Sequence, residues 1–206
     1  MDLQQSFKIR KANLNDAINC AGIHQQEIKT GFLSQLGIQF LVMLYEAIVV
    51  TQHACCFVVE DENGKVIGFI AGCFNTSKFY KEFLIKYGFK AILILFPNMV
   101  KPVMLKKIFE IVKYPFMPKD KSKTNDPEAE LLSIAVEAYA KGTGVSHELA
   151  HTLFNELKDR KIKNIKVVVN DGNSRANKFY KGLGFELHSI ISIHGSEISN
   201  LYIKKL

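Results

Sequence analysis

Residues 131–157 read LLSIAVEAYAKGTGVSHELAHTLFNEL, and the fold turns on how this stretch is parsed. Leu131–Val136 is a short apolar run ending in a β-branched residue, the pattern of a buried strand. Lys141-Gly142-Thr143-Gly144 follows, with two glycines free to take positive φ and leave backbone N–H groups uncovered. From Val145 the period becomes helical, with Leu149, Leu153 and Leu157 on one stripe and Ala150 and Phe154 beside it. A helix N-terminus set against glycines favours an anion, typically a phosphate. The same stretch holds a rival signal: His147-Glu148-Leu149-Ala150-His151 fits the HExxH pattern of zinc peptidases.

Composition narrows the setting. The 206 residues suffice for one sizeable domain, and we expect a single domain over 1–206. Hydrophobic residues make up 48% and charged residues 23%, ordinary for a globular chain. A formal charge of +7 suits an anionic ligand such as a nucleotide cofactor. The lysines are scattered without a basic block, so no nucleic-acid partner is expected. Cys20, Cys55, Cys56 and Cys73 form no CxxC pair and read as buried, reduced thiols, which fits a cytoplasmic protein. The N-terminus shows no apolar secretory core. No run reaches the ~20 apolar residues of a bilayer span, so no transmembrane helix is expected.

Outward from the central stretch, Phe7–Lys11 reads as an edge strand and Asp16–Ile28 as a helix capped by Asn13 or Asn15, with Ala17, Cys20, Ala21 and His24 at helical spacing. Gly31 breaks it. Phe32–Val50 predicts one further helix, apolar enough to be core or a subunit interface, which admits a homodimer. Ala54–Glu60 and Val66–Phe74 flank Asp61-Glu62-Asn63-Gly64 as a hairpin. Residues 75–126 read as a helical insertion, with pieces at Ser77–Lys86 and Pro102–Lys113 and an apolar stretch Phe89–Val100. Ile165–Val169 is a second buried strand. Asn173 or Ser174 caps a short helix through Leu183, ended by Gly184, and Leu187–His194 with Leu201–Lys204 closes as a hairpin.

Asn173-Ser174-Arg175-Ala176-Asn177-Lys178-Phe179-Tyr180-Lys181-Gly182-Leu183-Gly184-Phe185, placed after a strand, a glycine loop, a helix and another strand, resembles the GCN5-related N-acetyltransferases (the GNAT superfamily). The family's acetyl-CoA loop, Q/R-x-x-G-x-G/A, aligns with Tyr139-Ala140-Lys141-Gly142-Thr143-Gly144; both glycines match, and Tyr139 replaces the usual Gln or Arg. The resemblance implies an α/β fold with a mixed, mostly antiparallel sheet flanked by helices, and a helical insertion between the central hairpin and the acetyl-CoA strand. It implies acetyl-CoA as co-substrate, bound by Ile134, Ala135, Val136, Lys141, Gly142, Thr143, Gly144, Val145, Asn173, Phe179 and Tyr180. The two central strands would splay apart to admit it.

Tyr180 then stands where relatives carry a general acid. The general base stays open among Glu27, Glu130 and Glu137, because the position on the second central strand where some relatives carry a Glu is here Val168. The implied reaction is transfer of an acetyl group to a primary amine of a small molecule, such as an amino sugar. A protein N-terminus or lysine, a non-catalytic acyl-CoA-binding role and, remotely, a zinc peptidase are the competing expectations. No metal site is expected, since no third ligand follows His147 and His151 at a zinc-peptidase spacing.

Overall fold

The computed structural model describes residues 7–29, 32–96, 126–193 and 197–206. One seven-stranded sheet runs through these segments in the order β1-β2-β3-β4-β5-β7-β6. The strands are β1 Lys8–Lys11, β2 Ala54–Glu60, β3 Val66–Cys73, β4 Glu130–Val136, β5 Asn164–Asn170, β6 Glu186–Ile193 and β7 Glu197–Lys205. Every neighbouring pair is antiparallel except β4 and β5, which are parallel. The mixed, mostly antiparallel sheet flanked by helices is the architecture that the sequence implied.

The helices are α1 Ala17–Glu27, α2 Phe32–Gln35, α3 Ile38–Val50, α4 Thr76–Leu95, α5 Val145–Asp159 and α6 Ser174–Gly182. The sheet separates two apolar cores. Residues of α1, α3 and α4 pack with Cys56 and Val58 on one face; residues of α5 and α6 pack with Cys55, Phe57 and Val59 on the other. β2 is buried on both faces, which is why its sequence ACCFVVE runs apolar without alternation. All four cysteines are free and buried. Burial pushes the Cys55 thiol up to about 12, so it stays protonated and packs as a small apolar group.

Two expected elements differ in extent. The helix expected over Phe32–Val50 is two: Gly37, at φ 89°, separates α2 from α3, a backbone turn that the apolar pattern does not register. Conversely, Ser77–Lys86 and the start of the Phe89–Val100 stretch belong to one continuous helix, α4, capped by the Asn75 side chain accepting from the Lys78 N–H. Phe79, Phe83, Ala91 and Leu95 are its buried apolar residues, and no proline interrupts it. Pro102–Lys113 and residues 97–125 generally lie outside the described residues. Among the described residues, no helix is long and apolar enough to cross a membrane.

Helix α5 seats closely on the sheet. A Cβ built on Gly72 of β3 would meet Leu153 Cδ1 of α5 at 2.5 Å, so only glycine lets the helix approach this near. Gly72→Ala is therefore expected to lower stability by about 1–3 kcal/mol through overpacking. In a Leu153→Ala background the added cost should fall below ~0.5 kcal/mol. Chemical denaturation of the four proteins measures this coupling, and equal costs in both backgrounds would refute the contact.

Candidate functional site

The site grows from the parallel pair. β4 and β5 share a single register position, Glu130 with Lys166, beside a bond from the Lys166 N–H to the Ala129 carbonyl at 3.0 Å. Beyond that point the strands part. β4 is held on its other side by β3 as far as Val136, and β5 by β7 as far as Asn170. A register shift between Ala71 and Gly72 leaves Leu132 as an extra residue in β4, and such a bulge bends its strand and sharpens its twist. The result is a gap opening toward the C-terminal ends of β4 and β5. The Glu137 N–H donates to Ile67 O of β3 at 2.8 Å. Backbone alternation then turns the N–H groups of Val136 and Ile134 away from β3, into the gap.

The chain leaves β4 through a 3-10 turn, Ala138–Ala140, into the glycine loop at the mouth of the gap. Gly142 and Gly144 have φ of 87° and 90°, which L side chains rarely adopt. Thr143 Oγ1 donates to Ala140 O at 2.8 Å and pins the loop. The first N–H groups of α5 to find acceptors are those of His147 and Glu148, both on Gly144 O. The N–H groups of Gly142, Thr143, Gly144, Val145 and Ser146 meet no acceptor among the described residues. Five consecutive N–H donors at the positive end of a 15-residue helix suit an anion.

The other expected residues cluster unevenly around this mouth. Lys141 is ion-paired with Glu27, the last residue of α1, which joins two of the expected residues directly. Glu137 pairs with Lys65 at 2.8 Å, and Lys65 Nζ lies 5.7 Å from the Tyr139 ring centroid, so a cation stands near the position that departs from the family pattern. Glu130 opens β4 beside the buried Lys166, 3.8 Å away. Burial raises its pKa while Lys166 opposes that shift. Six residues of extended chain, about 20 Å, put Glu130 at the closed end of the gap, away from Val136.

Helix α6 forms the far wall. Asn173 caps it, its side chain accepting from the Ala176 N–H at 3.0 Å. Tyr180 is 7% exposed, edge-on to Phe179 and Phe185 with centroids 5.4 and 5.7 Å apart. Burial pushes its phenol above its ordinary value, so it keeps its proton at neutral pH. Its hydroxyl bonds to no group among the described residues.

The histidines of the HExxH pattern engage aromatic rings. His147 stands edge-on to Phe179 at 5.2 Å and His151 edge-on to Phe154 at 6.0 Å. Among the described residues no group of three His, Cys, Asp or Glu side chains could hold a metal ion.

Two polar constellations were not foreseen. Asn177 of α6 is buried and donates to the carbonyls of Asn170, Asp171 and Asn173 at 3.0, 3.2 and 2.8 Å. Its Oδ1 accepts from Asn200 Nδ2 at 3.0 Å and the Tyr202 hydroxyl at 2.8 Å. A polar residue on the buried face of an amphipathic helix was the available signal. The second constellation links His24, Tyr45 and Ser133 across α1, α3 and β4. His24 occupied an apolar helical position in the sequence, the same kind of signal.

Residues 104–185 match the model of the acetyltransferase (GNAT) family. Solved structures of similar fold include an Arabidopsis thaliana NAA60 in complex with acetyl-CoA (TM-score 0.61, 14% identity, covering 98% of this chain and 99% of that one). A second is the Escherichia coli ribosomal-protein alanine N-acetyltransferase (TM-score 0.59, 15% identity, 97% and 94% covered). A third is the PaiA N-acetyltransferase of Thermoplasma acidophilum in complex with coenzyme A (TM-score 0.61, 14% identity, 98% and 99% covered). No protein of curated function matches in sequence.

Losing the Asn177 side chain removes a donor shared by the carbonyls of Asn170, Asp171 and Asn173 and the acceptor of Asn200 and the buried Tyr202 hydroxyl. Asn177→Ala is expected to cost about 2–4 kcal/mol, read as a lower midpoint in urea denaturation. A midpoint within error of wild type would mean that the network carries no load.

Proposed function

We propose that this chain, whose residues 104–185 match the acetyltransferase (GNAT) family model, transfers the acetyl group of acetyl-CoA to a primary amine of a small molecule. The observation that carries the reading is the pairing of two features at one mouth: five free backbone donors before and within the first turn of α5, and a gap between β4 and β5 lined by unpaired backbone groups. A diphosphate bound to an extended amide-bearing arm suits both. The donors of residues 142–146 would hold the diphosphate. The gap would take the arm as an added strand, with amides bonding to the open edge of β4.

On this reading each side chain has a task. The Ile134 N–H would donate to the acyl oxygen as it gains charge, and the Val136 N–H to an amide carbonyl of the arm. Tyr180, kept protonated by burial, would give its proton to the departing thiolate as the C–S bond breaks and the C–N bond forms. The incoming ammonium must first lose a proton. Of the three carboxylates, Glu27 is the one ion-paired with a residue of the glycine loop, Lys141. Once Lys141 turns to a diphosphate, Glu27 is free to accept that proton. Acetyl-CoA supplies the activated thioester when bound.

A protein N-terminus is the second reading, favoured by the likeness in fold to the ribosomal-protein alanine N-acetyltransferase. A panel holding aminoglycosides, amino sugars, polyamines and short peptides, followed by release of free thiol, separates the two readings by which members turn over. A cytoplasmic setting accords with the free, buried cysteines.

Acetyl-CoA at about 100 times its dissociation constant should stabilise the fold by ~2.7 kcal/mol. Gly144→Val, at a strained φ on an exposed turn, should lose most of that gain. No thermal shift in the wild-type protein would end the proposal. Tyr180→Phe should keep the shift and lose turnover by roughly 10- to 100-fold; undiminished turnover would remove Tyr180 from the reaction.

A further inference from the structure

The His24–Tyr45–Ser133 chain runs from the apolar core to β4, which walls the gap. His24 is 2% exposed, beneath α1, its ring stacked on Phe69 at 6.3 Å. Its Nδ1 lies 2.6 Å from the Tyr45 hydroxyl, and that hydroxyl lies 3.0 Å from Ser133 Oγ. Ser133 is half-buried on β4, just past the bulged Leu132 and past the last contact with β5. His24 Nε2 is buried and has no hydrogen-bond partner among the described residues.

That orphan nitrogen sets the direction of the chain. If Tyr45 donated to Nδ1, the ring proton would sit on Nε2, leaving an N–H without an acceptor in an apolar core. Buried donors without acceptors are the rarest kind of unsatisfied group. The other tautomer leaves only a lone pair dry. His24 Nδ1–H then donates to Tyr45, Tyr45 donates to Ser133, and the Ser133 proton is left to point outward. Both inner groups hold these states. Burial lowers His24 to about 4, so it is neutral at physiological pH, and raises Tyr45, so it keeps its proton.

The same values exclude the opposite role. An alkyl ammonium, whose ordinary pKa is near ~10, does not pass its proton along this chain to an imidazole at about 4. The chain therefore delivers a fixed donor and is no sink for the amine's proton.

We infer that Ser133 is a catalytic hydrogen-bond donor to the acyl oxygen of the thioester, and that Tyr45 and His24 are positioning residues that aim its hydroxyl. The inference rests on the acetyl-transfer reading, since it needs the acyl group beside the bulge of β4. There the Ser133 hydroxyl, on the α1 and α3 side of the sheet, supplements the Ile134 N–H that points into the gap. The two donors reach one oxygen from different directions, as a tetrahedral oxyanion requires.

The test uses the full chain, acetyl-CoA and whichever panel amine the wild-type protein turns over fastest. Ser133→Ala is expected to lower kcat roughly 100-fold, with the KM for acetyl-CoA close to wild type and a lower melting temperature, since the buried Tyr45 hydroxyl loses its acceptor. Ser133→Thr, which restores the hydroxyl, should recover most of the rate. Tyr45→Phe, which leaves Ser133 present but unaimed, should fall about 10-fold short of wild type. Wild-type kcat in Ser133→Ala would overturn the inference, as would a loss in Ser133→Ala that Ser133→Thr fails to repair. A wild-type protein that turns over no amine overturns the acetyl-transfer reading and this inference with it. A wild-type protein that is active while Ser133→Ala is undiminished overturns this inference alone.

Discussion

The facing edges of β4 and β5 carry backbone donors and acceptors that have no ladder to enter beyond Glu130 and Lys166. Buried or half-buried peptide groups rarely go unpaired, so a sheet that stays open along a central seam needs something to keep it open. Here each strand is committed elsewhere. β4 is bonded to β3 through Val136, with a bulge at Leu132 turning it aside, and β5 is bonded to β7 along its length. Neither can swing across without breaking a ladder already formed. The seam is thus held open before any ligand arrives, and the glycine loop, α5 and α6 stand at its open end because the chain passes there as it leaves each strand.

Electrostatics along the seam are more balanced than a formal charge of +7 suggests. Glu27, Glu130 and Glu137 each have a lysine partner, at Lys141, Lys166 and Lys65. The Glu130–Lys166 pair lies where the strands converge and ties their starts together. Ion pairs near a surface contribute little to stability, but the Glu27–Lys141 pair has another consequence. It holds a cation beside the five free N–H donors, and any diphosphate there competes with Glu27 for it. The glycine loop and the end of α1 are therefore coupled through one side chain.

Much of this could be read from the residues, and the reasons are local. The strand–glycine–helix parse of 131–157 depends on period and on two glycines, which are nearest-neighbour properties. The anion site follows because a helix start exposes its own N–H groups whatever surrounds it. The order of strands was another matter: β7 inserts between β5 and β6, a pairing between residues distant in sequence that period does not encode. The division at Gly37 was invisible because apolar residues continue across it. The HExxH pattern shows the converse error. Two histidines four apart do share a helix face, yet here His147 packs on Phe179 and His151 on Phe154. A motif fixes which side chains are neighbours on one helix, and the elements packed against that helix decide what they meet.

The width of the slot is set from behind. On the β4 side, Gly72 lets α5 press against β3, and the bulge follows at the same register. On the β5 side, Asn177 gathers the carbonyls of Asn170, Asp171 and Asn173 and ties them to Asn200 and Tyr202 of β7. That knot fixes the turn from β5 into α6, and so the positions of Asn173 and Tyr180 on the far wall. Both walls are thus anchored to packed, fully bonded structure on the side away from the gap. A gap defined by rigid neighbours does not have to be shaped by its ligand, so the ordering cost of binding falls mainly on the ligand. The cost of leaving β4 and β5 unpaired was met at folding, by the ladders and the knot behind them.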